Sequence, residues 1–89
     1  MRKIKLAISG CMGRMGQQLI KSSKNNKSFK LVTLTENRLI NKNFNGINPE
    51  FNSDKAFNKT DIIIDFTIPK CTLQILKIAS KLKKKVVIG

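Results

Sequence analysis

Three glycines, Gly10, Gly13 and Gly16, stand at i, i+3 and i+6 in the stretch Ala7-Ile8-Ser9-Gly10-Cys11-Met12-Gly13-Arg14-Met15-Gly16-Gln17-Gln18. Each can do a different job in a turn that receives an anion. Gly10 can leave a strand through a backbone conformation that a side chain forbids. Gly13, without a Cβ, lets a diphosphate come against the main chain. Gly16 lets the following helix lie close on the strand, and the start of that helix offers N–H groups and a partial positive charge. The pattern is close to the dinucleotide fingerprint G-x-G-x-x-G, with the middle glycine one place later. It is not a P-loop, because Gln17-Gln18 stand where Lys and Ser or Thr belong. Taken alone, the triplet serves equally well as an ordinary strand-to-helix turn with no ligand.

The flanking elements give the triplet its context. Ile4, Leu6 and Ile8 alternate with Lys3, Lys5 and Ala7, which predicts a strand over 3–9 entering the turn. A helix is expected from about Gly13 to Lys24, with Met12, Met15, Leu19 and Ile20 on one face and Asn25-Asn26 stopping it. The methionines read as packing residues. Phe29 to Thr35 reads as a second strand and completes a βαβ unit of the length the fingerprint requires. At its tip stands Glu36, twenty residues after Gly16, where a carboxylate accepts hydrogen bonds from the adenosine ribose. Asn37 and Arg38 follow at once. Arg38 could meet a 2′-phosphate and Asn37 a free hydroxyl or a phosphate oxygen, so use of both NADP and NAD is expected.

Residues 37–60 are rich in Asn and read as a long connection, with Ser53-Asp54 capping a short helical turn through Phe57 and no strand that the pattern can place. Asp61-Ile62-Ile63-Ile64-Asp65-Phe66 reads as a strand buried on both faces, as in a parallel sheet. Thr67-Ile68-Pro69 then starts a helix, with Pro69 in its first turn and a broad apolar face of Leu73, Ile75, Leu76, Ile78, Ala79 and Leu82. Val86-Val87-Ile88 opens another strand. Together these elements predict an α/β, Rossmann-type parallel sheet with helices on both faces, truncated after about four strands. The stop at Gly89, where the next ligand-binding loop should begin, reads as a cut within an incomplete N-terminal domain over 1–89.

The bulk composition narrows the partners. Eighty-nine residues make at most one small domain, and an apolar fraction of 40% suits a globular core. The net charge of +13 invites a nucleic-acid partner. However, the excess is scattered lysine in a chain without Trp or Tyr, and its only arginines are Arg2, Arg14 and Arg38. A nucleic-acid patch pairs charge with stacking aromatics or arginine forks, so no nucleic-acid partner is expected. Cys11 and Cys71 are too few and too far apart for a metal knuckle or a C-x-x-C pair, so no metal is expected and a reducing cytoplasm is the simplest home. Lys5 interrupts the N-terminal apolar run, so no signal peptide is expected. No stretch approaches the ~18 apolar residues of a membrane span, and no membrane partner is expected.

The run from Ile8 to Gly16, then Glu36, then Ile64-Asp65-Phe66-Thr67-Ile68-Pro69, and finally Val87-Ile88-Gly89 resemble the 4-hydroxy-tetrahydrodipicolinate reductases (dihydrodipicolinate reductases) of bacterial lysine synthesis through diaminopimelate. The resemblance spans the chain but covers only the nucleotide-binding part of the family's fold. It implies that Gly10, Cys11, Met12, Gly13, Arg14 and Met15 hold the diphosphate and adenosine side of NADPH or NADH, Cys11 and Met12 through their backbones. It implies that Glu36 takes the adenosine ribose. Asn37 stands where several members carry an arginine for the 2′-phosphate, a role to which the neighbouring Arg38 is suited. Phe66, Thr67 and Gly89 would line the nicotinamide side. The family's small-molecule substrate, its catalytic histidine and lysine and its homotetramer contacts would belong to a later domain, so no catalytic residue is expected in this chain. The competing readings are another two-domain dehydrogenase, of the aspartate or homoserine type, and a basic nucleic-acid module.

Overall fold

The alternation that opens the chain becomes the central strand of the sheet. β1 (Ile4–Ser9) sends Ala7 to one face and Ile8 to the other, and both are fully buried. The computed structural model describes residues 3–10, 12–24, 26–44 and 46–89. The roles read for Cys11 and for Asn25 as a helix stop lie outside the described residues. α1 (Arg14–Lys24), β2 (Phe29–Thr35), α2 (Asp54–Asn58), β3 (Ile62–Asp65), α3 (Pro69–Leu82) and β4 (Lys85–Ile88) follow in order. All strands pair in parallel, in the order β2-β1-β3-β4. Each strand lies within a residue or two of the span that the sequence pattern indicates.

Parallel strands need coverage on both sides, and two apolar clusters provide it. On one face Ile8, Ile20 and Leu34 pack together, supported by Met12, Leu19, Leu31, Phe44 and Ile47. On the other, Ala7, Phe57, Ile63, Ile75 and Ala79 pack under α2 and α3. Full burial of a side chain the size of Phe57, Ile63 or Ile75 contributes roughly 1.5–3 kcal/mol. A register shift between Leu6 and Ala7 leaves Val32 as the extra residue of a bulge in β2. Thr33 thereby pairs with Ala7, and its buried hydroxyl donates to the Ala56 carbonyl of α2 at 2.9 Å.

The connection from β2 to β3 is anchored rather than loose. Phe44 and Ile47 exchange backbone hydrogen bonds of 2.9 and 3.0 Å around Gly46 (φ +87°) and seat their side chains on the α1-side cluster. Glu50 forms a single parallel bridge to Thr35, a rudimentary neighbour of β2 where the pattern showed no strand. Ser53 caps α2 as predicted, its side chain accepting from the Ala56 N–H at 3.0 Å.

Two apolar faces are narrower than the sequence pattern indicates. Leu73 and Leu76 of α3 are 64% and 39% exposed, while Ile75 and Ala79, flanked by Ile78 and Leu82, form the stripe that packs into the core. Met15, expected on the packed face of α1, is 52% exposed. It lies in the first turn of α1, past the end of β1, where there is little sheet to cover it.

Candidate nucleotide-binding site

The chain runs from β1 through α1 to β2 on one side, then crosses to β3 on the other side of β1. The direction of winding reverses between β1 and β3, and ligands of open α/β sheets bind in the crevice outside the strand ends at such a point. Gly10 lies there. Its φ is +79°, and a Cβ placed on it would stand 2.9 Å from the Phe66 carbonyl oxygen and 3.3 Å from Thr67 Cγ2. Gly10 therefore serves two purposes: it turns the chain, and it lets the β3–α3 loop close against the β1–α1 loop. The turn is tied by the Gly10 N–H donating to the Thr35 carbonyl at 3.0 Å and the Gly13 N–H donating to Gly10 at 3.1 Å.

Gly13 is different. It is exposed, and the nearest heavy atom to an added Cβ is the Gly10 carbonyl at 3.4 Å, an ordinary contact. Nothing inside the fold requires a glycine at this position. Its bareness opens the start of α1 to the outside, where the first-turn N–H groups lack intrahelical acceptors. Gly16 is buried within α1.

Glu36 reaches this turn from the tip of β2. Its Oε2 accepts from the Met12 N–H at 2.9 Å and its Oε1 from the Asn37 N–H at 3.2 Å. Gln17 Nε2 donates to the Met12 carbonyl at 2.9 Å, so Met12 is held through both its backbone groups. The carboxylate is thus fixed beside the glycine turn, with lone pairs left to accept hydroxyl protons.

Gly10, Gly13, Glu36, Asn37, Phe66, Thr67 and Ile68 line one open crevice of about 170 Å³. Gly89 joins its far side: its N–H donates to the Asp65 carbonyl at 2.9 Å, and the Phe66 ring lies where a Cβ at Gly89 would be. Six of the sequence-predicted site residues are therefore brought together, and Met12 and Gly89 adjoin them. Arg14, Met15 and Arg38 are exposed and do not line the crevice. Among the described residues no group of His, Cys, Asp and Glu is arranged to hold a metal ion. No helix among them is long and apolar enough to cross a membrane.

The layer below the crevice had not been singled out from the sequence. Thr35, Ser9 and Asp65 sit side by side in register at the C-terminal ends of β2, β1 and β3, all essentially inaccessible. Thr35 Oγ1 donates to Ser9 Oγ at 2.8 Å, and Ser9 Oγ donates to Asn52 Oδ1 at 3.2 Å. Asp65 Oδ1 accepts from the Thr67 N–H at 2.8 Å and from the Thr67 hydroxyl, and Oδ2 accepts from the Thr72 hydroxyl. The N-cap position of α3 is Ile68, whose side chain makes no capping hydrogen bond. Asp65 instead holds the residue before that position, through the Thr67 N–H, and reaches into the helix only through the Thr72 hydroxyl. The available signal was Asp-x-Thr just before a helix, a local side-chain-to-backbone turn.

Residues 4–89 match the family described as "Dihydrodipicolinate reductase, N-terminus". The chain is 71% identical over 89 residues to a 4-hydroxy-tetrahydrodipicolinate reductase of Pelagibacter ubique (strain HTCC1062); the match covers 100% of this chain and 34% of that protein. Among solved structures, a dipicolinate-bound dihydrodipicolinate reductase from Paenisporosarcina sp. TG-14 superposes with a TM-score of 0.80 at 23% identity, over 99% of this chain and 37% of that one. Aspartate semialdehyde dehydrogenase II of Vibrio cholerae superposes with a TM-score of 0.81 at 16% identity, over 99% of this chain and 31% of that one. The two superpositions show the shared fold alone. The chain spans about a third of the length of the relatives it matches. Fold, crevice and sequence identity agree: this chain belongs to the dihydrodipicolinate reductase family and corresponds to the N-terminal third of its members.

Proposed function

We propose that this chain is the NAD(P)H-binding portion of an oxidoreductase that reduces 4-hydroxy-tetrahydrodipicolinate to tetrahydrodipicolinate in lysine biosynthesis. The observation that carries the reading is the joining of Glu36 to the bare turn at Gly13 across one crevice. A dinucleotide fits it by parts. The diphosphate would lie against Gly10–Met15, including Cys11, with the Arg14 charge near phosphate. Glu36 would accept the adenosine ribose hydroxyls. Phe66, Thr67 and Gly89, on the β3–β4 side, would flank the nicotinamide. When bound, the cofactor supplies a hydride; the residues here bind and orient it.

Asn37 lines the crevice and Arg38 stands next to it, exposed. That pairing supports use of both NADPH and NADH. The chain has no histidine, and a proton donor must lie within hydrogen-bond reach of the reacting atom. Catalysis and substrate binding are accordingly assigned to a C-terminal domain of the full-length protein, in a cytoplasmic homotetramer. The 89 residues by themselves should bind nucleotide and turn over no substrate.

Titration with NADH and NADPH tests the reading, since the absence of Trp and Tyr leaves nicotinamide fluorescence clear of protein emission. Saturable binding is expected for both, and Gly13→Asp should abolish it by setting a carboxylate against the diphosphate. Equal binding by the Gly13→Asp chain would overturn the assignment. So would turnover of 4-hydroxy-tetrahydrodipicolinate by the 89 residues.

A further inference from the structure

The group beneath the crevice that has no assigned role is the Asp65 carboxylate. It is 1% exposed and lies one residue before the Phe66-Thr67 wall. Its acceptors are directed at three donors in the β3–α3 turn and the first turns of α3: the Thr67 N–H, the Thr67 hydroxyl and the Thr72 hydroxyl. Thr72 is shared further, its hydroxyl lying 3.3 Å from the Ile68 carbonyl and 3.4 Å from Thr67 Oγ1. The main chain of Asp65 is held as well, by pairing with Ser9 and by the Gly89 N–H. Burying a carboxylate is costly unless its lone pairs are satisfied, and here that requirement dictates the shape of the loop. Thr67 can meet Asp65 through both its N–H and its hydroxyl only if the chain folds back at Phe66. That fold directs the Phe66 carbonyl at Gly10 and lays the Phe66 ring against Gly89.

On this basis, and resting on the nucleotide reading above, we infer that Asp65, acting through Thr67 and Thr72, is the positioning residue for the nicotinamide half of the site. The adenosine half is held by a separate set of bonds, from Glu36 to Met12 and Asn37. The two halves are therefore set by different carboxylates, one just past β2 and one at the end of β3, and they can be perturbed one at a time. Asp65 touches no ligand. Its effect is to keep the wall at a height that accepts a ring.

The test compares NADH with ADP, which lacks the nicotinamide half, on the 89-residue chain. Asp65→Asn keeps the size of the side chain and replaces one of its two accepting oxygens by an NH2 donor. It should weaken NADH about tenfold while ADP affinity stays within twofold. Thr72→Val, which keeps the β-branched shape and deletes one donor, should show the same split to a smaller degree, and Thr72→Ser should restore NADH affinity. Thr72→Val also covers the case in which Asp65→Asn does not fold. An unaltered NADH affinity in Asp65→Asn or, where that variant fails to fold, in Thr72→Val would overturn the inference. Equal loss of NADH and ADP would overturn it too, since a merely structural role weakens both ends. A parent chain that binds neither ligand would instead sink the nucleotide reading on which the inference stands.

Discussion

Gly10 and Gly13 look alike in the sequence and do opposite work. At Gly10 the backbone is left-handed and a side chain would meet the Phe66 carbonyl, so Gly10→Ala combines strain with a steric clash. A loss of about 1–3 kcal/mol is expected, read as a lowered denaturation midpoint. At Gly13 there is room, and Gly13→Ala should change stability by less than about 1 kcal/mol, because alanine is only a poorer residue at a helix start. Its effect should fall on NADH affinity, measured on the same samples. If Gly10→Ala were neutral and Gly13→Ala unfolding, the division of labour between the two would be wrong.

Elements are joined at their ends by small devices whose removal can be measured. Ser53 caps α2 with a hydrogen bond to the Ala56 N–H, and Ser53→Ala should cost about 1 kcal/mol. α3 stops at Lys83, a non-glycine residue at φ 58°. Lys83→Gly relieves the left-handed conformation and should stabilise by roughly 0.5–1 kcal/mol, seen as a higher Tm. α2 and α3 are also linked across their exposed sides, with Lys81 Nζ donating to Asp54 Oδ2 at 2.6 Å. That hydrogen bond and then the Asp54 charge raise the Lys81 pKa above its ordinary 10.5, against slight desolvation. The stabilisation is therefore fully present below the unfolded-state value and disappears as pH rises through the higher folded value. Denaturation followed above about pH 10 should show a decline that Asp54→Asn removes. The pair is exposed, so the decline should be small and should shrink further in high salt.

For the whole molecule, the reversal of winding between β1 and β3 decides where a ligand can go. The scattered charge of +13 tests the same point from the other side. Lysine-driven association with random oligonucleotide should fall steeply with salt and be indifferent to Gly13→Asp, whereas nucleotide binding should be lost in that variant. Oligonucleotide binding that depended on Gly13 would mean that the crevice takes nucleic acid.

From residue types and spacing alone, the alternating Ile4-Leu6-Ile8, the glycine triplet, the Ser53 cap, Pro69 and the twenty-residue step to Glu36 were enough to locate nearly every element and most of the crevice. Those signals are local, carried by conformational preference and by periodicity along one segment. The rest depends on contacts between residues far apart in the chain. Only the packed sheet sets Thr35, Ser9 and Asp65 in one buried row, brings Phe44 and Ile47 onto the α1-side cluster, and leaves Leu73, Leu76 and Met15 uncovered. Strand order and register determine which face of a helix meets a neighbour, and a single chain read in sequence order carries no signal of that pairing.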